Sequence, residues 1–127
     1  MPKKILVADD EPQVARLIAS RLMANKYEVI VAHDALYAVK KAVEEAPDLI
    51  ILDIKMPGLS GIDVMKETAK FSPQTKFLAI SGYDSDEVAD AAFKAGAVDF
   101  ITKPQTPAAI LLKVKDILTK SGKYAPK

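Results

Sequence analysis

Asp9, Asp10, Asp53, Ser81 and Lys103 have the types and places that could together handle a phosphoryl group. Asp9 and Asp10 follow the apolar run Ile5-Leu6-Val7-Ala8, and Asp53 follows Leu49-Ile50-Ile51-Leu52. Ser81 closes the run from Lys76, and Lys103 stands just beyond Val98–Ile101. Each has an ordinary explanation. Asp10 with Gln13 has the spacing of a helix-capping pair, and Asp53 could be a turn residue. Ser81 before Gly82 also suits a turn, and a lysine is usually solvated. Together they pose an electrostatic problem. Crowded carboxylates raise one another's pKa unless a cation offsets them, and one lysine supplies a single charge. A hard divalent ion such as Mg²⁺ prefers carboxylate and water oxygens. A pocket with such an ion, a lysine and a hydroxyl suits phosphoryl transfer, with a carboxylate as acceptor.

Those residues converge only if the elements bring them together. Ile5–Ala8, Glu28–Ala32, Leu49–Leu52, Lys76–Ile80 and Val98–Ile101 are short, mostly apolar and partly β-branched, which predicts strands, most of them buried on both faces. Between them run stripes at helical spacing. They are Val14-Leu17-Ile18-Leu22, Ala35-Val39-Ala42-Val43-Ala46, Ile62-Met65-Ala69, Val88-Ala91-Ala92-Ala95 and Ile110-Leu111-Val114-Ile117-Leu118. Pro12 suits a first helical turn, Pro47 follows the second helix, and Gly96 suits the end of the fourth. Strand and helix alternating with short connections predict an α/β, doubly wound five-stranded parallel sheet with right-handed crossovers. Ligands of such sheets sit beyond the carboxyl ends of the strands, where the five residues fall. The second strand delivers only His33, read as a surface histidine with no visible partner.

The 127 residues fit one domain over residues 1–120, with 121–127 as a C-terminal tail. Eighteen Lys+Arg against seventeen Asp+Glu leave a net charge of +1, so no basic excess argues for nucleic acid. There is no cysteine, which excludes disulfides and thiolate metal sites. The apolar runs are too short to span a membrane, and the first residues lack a signal-peptide pattern, so a cytoplasmic protein is expected. Neither GxxxxGK[ST] nor GxGxxG occurs, so the phosphoryl donor is expected to come from outside the domain.

Lys4-Ile5-Leu6-Val7-Ala8-Asp9-Asp10-Glu11, Leu49-Ile50-Ile51-Leu52-Asp53-Ile54-Lys55-Met56-Pro57-Gly58 and Phe100-Ile101-Thr102-Lys103-Pro104 resemble the receiver domains of two-component response regulators. The resemblance implies a flavodoxin-like (βα)5 fold with strand order 2-1-3-4-5. It implies Asp53 as phosphoacceptor, and Mg²⁺ held by Asp10, Asp53 and the backbone carbonyl of Lys55, with Asp9 acting through water. Ser81 matches the hydroxyl that moves to the phosphoryl group and Lys103 the lysine that pairs with it. Phe100 matches the switch aromatic, and Lys103-Pro104 a peptide bond that is usually cis. The implied partners are a histidine kinase or histidine phosphotransfer protein, and a downstream protein that reads the face of the fourth helix, fifth strand and fifth helix.

Two positions depart from the family pattern: Gln105 stands where Phe is common, and Phe100 lacks the hydroxyl of a tyrosine. Lys55 and Tyr83 match variable positions beside the acceptor. Neither is a short amide or carboxylate suited to orient an attacking water, so a long-lived phosphorylated state is expected. Other readings predict different residues. A flavodoxin-like cofactor binder needs a hydroxyl- and Gly-rich loop where Asp9-Asp10-Glu11 stands. A haloacid-dehalogenase-like phosphatase expects an acid at Lys55. A receiver-like scaffold that is not phosphorylated usually lacks an acidic, hydroxyl or lysine position, and all are present here. No effector domain follows the fifth helix, which fits a stand-alone receiver or one cut from a longer regulator.

Overall fold

The apolar runs become strands because their alternate residues can be covered from two sides. In a computed structural model, which describes residues 2–56, 60–82, 86–103 and 106–119, the chain alternates strand and helix throughout. The elements are β1 (Lys4–Ala8), α1 (Pro12–Ala24), β2 (Glu28–Ala32), α2 (Ala35–Glu45), β3 (Leu49–Asp53), α3 (Gly61–Phe71), β4 (Lys76–Ser81), α4 (Asp86–Lys94), β5 (Ala97–Thr102) and α5 (Pro107–Thr119). Tyr83, Pro104, Gln105 and the 121–127 tail lie outside the described residues. All strand pairs are parallel, in the order β2-β1-β3-β4-β5. The order agrees with the one the resemblance implied.

Odd and even strand positions feed separate cores. Ile5, Val7, Leu49, Ile51, Leu78 and Ile80 pack against Ile18, Leu22, Ile110, Val114 and Ile117 of α1 and α5. Leu6, Ala8, Ile50, Leu52, Phe77 and Ala79 pack against Ala38, Ala42, Val64, Met65 and Ala92 of α2, α3 and α4. Burying one Ile, Leu or Val side chain contributes about 1.5–3 kcal/mol, so these two layers supply most of the gain in folding.

Four stripes differ from their expected course; on α4, Ala92 is buried but Ala91 is exposed. On α1, Ala15 and Ala19 are buried with Ile18 and Leu22, while Leu17 is 60% exposed. On α2, Ala35, Ala38 and Ala42 face the sheet and Val43 is exposed. On α3, Val64 and Thr68 join Met65 in the core, and Ala69 faces out. On α1 and α2, alanines let the helix lie close to the sheet, so the smaller side chains take the inner face.

β5 carries an irregularity invisible in the sequence. Phe77 pairs with Ala97 but Leu78 pairs with Asp99, so one extra residue is inserted. Ala97 and Phe100 consequently face the α2–α4 side, while Val98 and Ile101 face the α1–α5 side. The bulge turns Phe100 toward the core under α4.

Pro12 opens α1, as its fixed φ favours. Asp34 caps α2 and Ser60 caps α3, each accepting a backbone N–H three residues on. α2 ends on Ala46 in the left-handed region, at φ 44° and ψ 60°. An L-residue with a Cβ is strained there, so Ala46→Gly is expected to raise stability by about 1 kcal/mol. Urea unfolding should show a higher midpoint with unchanged slope, and a lower midpoint would refute the strain.

Candidate functional site

Strand parity places the charged groups. Asp9 continues the odd series of β1, Asp53 that of β3, and Lys103 stands two residues after Ile101 on the α1–α5 side. Asp53 and Ser81 are the last residues of their strands, held by the ladder itself. Ile54 N–H donates to the Ile80 carbonyl at 2.9 Å, and Lys103 N–H donates to the Ser81 carbonyl at 2.7 Å. Those bonds fix where β3, β4 and β5 release their terminal side chains.

The Lys103 ammonium reaches across to the acids of the other strands. Its Nζ lies 2.8 Å from Asp53 Oδ2, 3.1 Å from Asp9 Oδ2 and 3.1 Å from Glu11 Oε1. Asp9 and Asp53 are held in the same manner at their other oxygen. Asp9 Oδ1 accepts the N–H of Glu11 at 2.9 Å, and Asp53 Oδ1 accepts that of Lys55 at 2.9 Å. Each thus spends one oxygen on the backbone two residues ahead and turns the other to the lysine. Asp9 is 2% exposed and Asp53 6%.

Neither Asp9 nor Asp10 caps α1. The N-cap is Glu11, which makes no side-chain cap bond, so the Asp10–Gln13 pairing does not form. Glu11 itself is an addition to the expected set. Its place as the third acid of a run, immediately before the helix-opening proline, was the available signal. His33 is exposed, but it has a partner after all: its Nδ1 lies 3.2 Å from the Asp9 carbonyl oxygen.

Asp10 is exposed at the rim, and one carboxylate oxygen from each of Asp9, Asp10, Glu11 and Asp53 lies within 4.8 Å of the others. An all-oxygen anionic set fits a hard divalent cation. Ser81 is buried on the opposite parity, with Phe100 half-buried on the same side. The Lys55 side chain is exposed, and Tyr83 lies outside the described residues.

Burial pulls the Lys103 ammonium toward the neutral form, but bonds to Asp53, Glu11 and Asp9 outweigh it and raise its pKa. For Asp9, burial raises the pKa, and the Glu11 N–H and Lys103 only partly counter it. With its folded pKa raised, Lys103 contributes stability that is full below the ordinary lysine value of 10.5 and lost as pH rises through the higher folded value. In Lys103→Met that alkaline loss should shrink, leaving a chain that is less stable at neutral pH without metal and partly restored by Mg²⁺. Denaturant midpoints against pH, with and without Mg²⁺, measure both effects. An alkaline limb unchanged by the substitution would contradict the assignment.

Residues 5–115 match the family model described as the response regulator receiver domain. The chain is 39% identical over 126 residues to the alkaline phosphatase synthesis transcriptional regulatory protein PhoP of Bacillus subtilis, covering 99% of this chain and 52% of that protein. It spans about half the length of the first curated relatives it matches. A CheY-like response regulator receiver domain protein from Methanospirillum hungatei superposes with a TM-score of 0.91 at 31% identity, covering 97% of this chain and 98% of that one. A response regulator protein from Burkholderia pseudomallei, solved with a phosphorylated aspartic acid, calcium ion and citrate, gives 0.81 at 27% identity over 98% of this chain and 75% of that one.

Proposed function

Because the chain belongs to the response regulator receiver domain family, a family of signalling modules, we propose that it takes a phosphoryl group onto Asp53 and switches a protein-binding surface in response. The observation that carries this reading is the Lys103 ammonium, which reaches Asp53 at 2.8 Å and Asp9 at 3.1 Å from a different strand. Mg²⁺ would be held by Asp10, Asp53 and the Lys55 carbonyl, with Asp9 behind a water. The ion supplies neutralisation of the charge on the transferred oxygens. The cluster of carboxylate oxygens of Asp9, Asp10, Glu11 and Asp53 within 4.8 Å supports a divalent ion there.

Asp53 Oδ2, the oxygen turned to Lys103, is the attacking oxygen, while Oδ1 stays on the Lys55 N–H. It bonds to phosphorus as the bond to the donor histidine nitrogen breaks, and the imidazole leaves with the electron pair. Lys103 already touches Oδ2 and transfers its bond to a phosphoryl oxygen. Ser81 donates its hydroxyl hydrogen to another. Phe100 moves further in, and the α4–β5–α5 face changes for a downstream protein. The donor is a histidine kinase or histidine phosphotransfer protein, and the setting is the cytoplasm. No helix among the described residues is long and apolar enough to cross a membrane. The Lys55 side chain, exposed two residues after the acceptor, crowds the path of attacking water and prolongs the phosphorylated state.

Incubation with acetyl phosphate or phosphoramidate and Mg²⁺, followed by intact mass and peptide mapping, tests the reading. A phosphoryl mass on the Asp53 peptide, absent with EDTA, is expected. A phosphoryl group mapped to a serine or to His33 would overturn it.

A further inference from the structure

The histidine at the end of β2 joins the loop that carries Asp9 and Asp10. β1 and β2 run parallel with Ala8 beside Ala32, and the ladder continues one bond further, from the Asp9 N–H to the Ala32 carbonyl at 3.0 Å. In a parallel ladder the next bond would bring the N–H of residue 34 to the Asp9 carbonyl. The chain instead turns into α2, with the Asp34 side chain accepting the Tyr37 N–H at 2.8 Å. The His33 imidazole takes the place of that ladder bond, its Nδ1 3.2 Å from the Asp9 carbonyl oxygen. A carbonyl oxygen only accepts, so Nδ1 carries the hydrogen.

We infer that His33 is a positioning residue for the cation site, an inference that rests on the Mg²⁺ site proposed above. The Asp9 carbonyl lies in the rigid peptide plane that joins Asp9 to Asp10, so holding that oxygen sets the direction in which the chain leaves toward Asp10. Asp10 needs this support. It is exposed, yet its carboxylate must stay with those of Asp9, Glu11 and Asp53, whose oxygens lie within 4.8 Å of one another. The other polar groups of Asp9 fix Asp9 itself: N–H to Ala32, Oδ1 from Glu11, Oδ2 to Lys103. The His33 bond acts on the peptide that leads to Asp10. A partner one step behind the ligands commonly tunes metal affinity in this way.

The geometry dictates which replacement should work. Asn places an amide nitrogen at the same distance from the backbone as Nδ1, whereas Gln places it one carbon further out. Calorimetric Mg²⁺ titration of His33→Ala should show affinity about threefold to tenfold weaker than the parent, the range expected for one lost hydrogen bond. His33→Gln should be similarly weak, and His33→Asn should stay within about twofold of the parent. In the metal-free chains, the backbone carbonyl carbon resonance of Asp9 should move in the Ala and Gln variants and return toward the parent in Asn. Parent-like Mg²⁺ affinity in His33→Ala, or Asn as weak as Ala, overturns the positioning role. A parent that shows no Mg²⁺ titration overturns the cation site itself, whereas a role for His33 in stability alone would lower melting temperatures without changing affinity.

Discussion

Asp53→Asn is expected to abolish phosphoryl uptake from acetyl phosphate, with the chain still folded. The substitution removes the proposed nucleophile. Stability should respond as well. Both oxygens of Asp53 accept hydrogen bonds, from the Lys55 N–H at 2.9 Å and the Lys103 ammonium at 2.8 Å. An asparagine has one accepting oxygen, so its amide hydrogens must meet one of those donors whichever way it turns. A mispaired polar group in a buried position costs about 1–3 kcal/mol, more than relief of repulsion in a partly solvated cluster returns. Metal-free Asp53→Asn should therefore be less stable than the parent. Asp10→Ala is the contrast: Asp10 is exposed, so removing it weakens Mg²⁺ and blocks uptake while metal-free stability holds or rises. Intact mass after donor treatment and urea midpoints in EDTA measure these outcomes. Uptake by Asp53→Asn at the parental level would sink the acceptor assignment.

The sheet was legible because its strands are mostly continuous apolar runs, as a doubly covered parallel sheet requires. Asp9, Asp53 and Lys103 were legible as strand-end residues for the same reason. Which face each would take was not, since both faces of β1 and β3 are equally apolar and the alternation leaves no trace. Phe100 shows the limit more sharply. Its side depends on the extra residue between the Phe77 and Leu78 pairings, and nothing in Ala97-Val98-Asp99 announces a bulge. Helix faces were misread where alanine competed with valine or leucine, as at Val43 and Leu17, because closeness of approach outweighs side-chain area there. His33 had no signal at all, since its partner is a backbone oxygen in the loop after β1.

Gly61→Ala should be among the most damaging single-methyl additions near the site, although Gly61 bears no functional group. Gly61 opens α3 directly against the end of β3, donating its N–H to the Ile54 carbonyl at 2.8 Å. A Cβ there would lie 2.7 Å from the Asp53 carbonyl oxygen, 2.7 Å from the Ile54 Cα and 3.2 Å from Leu52 Cδ1. The first two are backbone atoms at the end of β3, where the Ile54 N–H is tied to the Ile80 carbonyl, and cannot swing away as a side-chain tip would. The start of α3 must back off, the Gly61–Ile54 bond lengthens, and Asp53 shifts with its own peptide. Overpacking of this kind costs about 3 kcal/mol. A displacement on the order of 1 Å at a reacting carboxylate slows transfer roughly a hundredfold. Gly82 supplies the control, because it also borders the site, directly after Ser81, yet a Cβ there meets nothing within 4 Å. Gly82→Ala should leave the urea midpoint equal or slightly higher, as loss of a flexible glycine favours the folded state by about 0.4–1 kcal/mol. Uptake rates from acetyl phosphate and urea midpoints for the two variants decide the matter. Parental values for both in Gly61→Ala would mean that α3 can yield there, and that Asp53 does not depend on how closely the helix approaches β3.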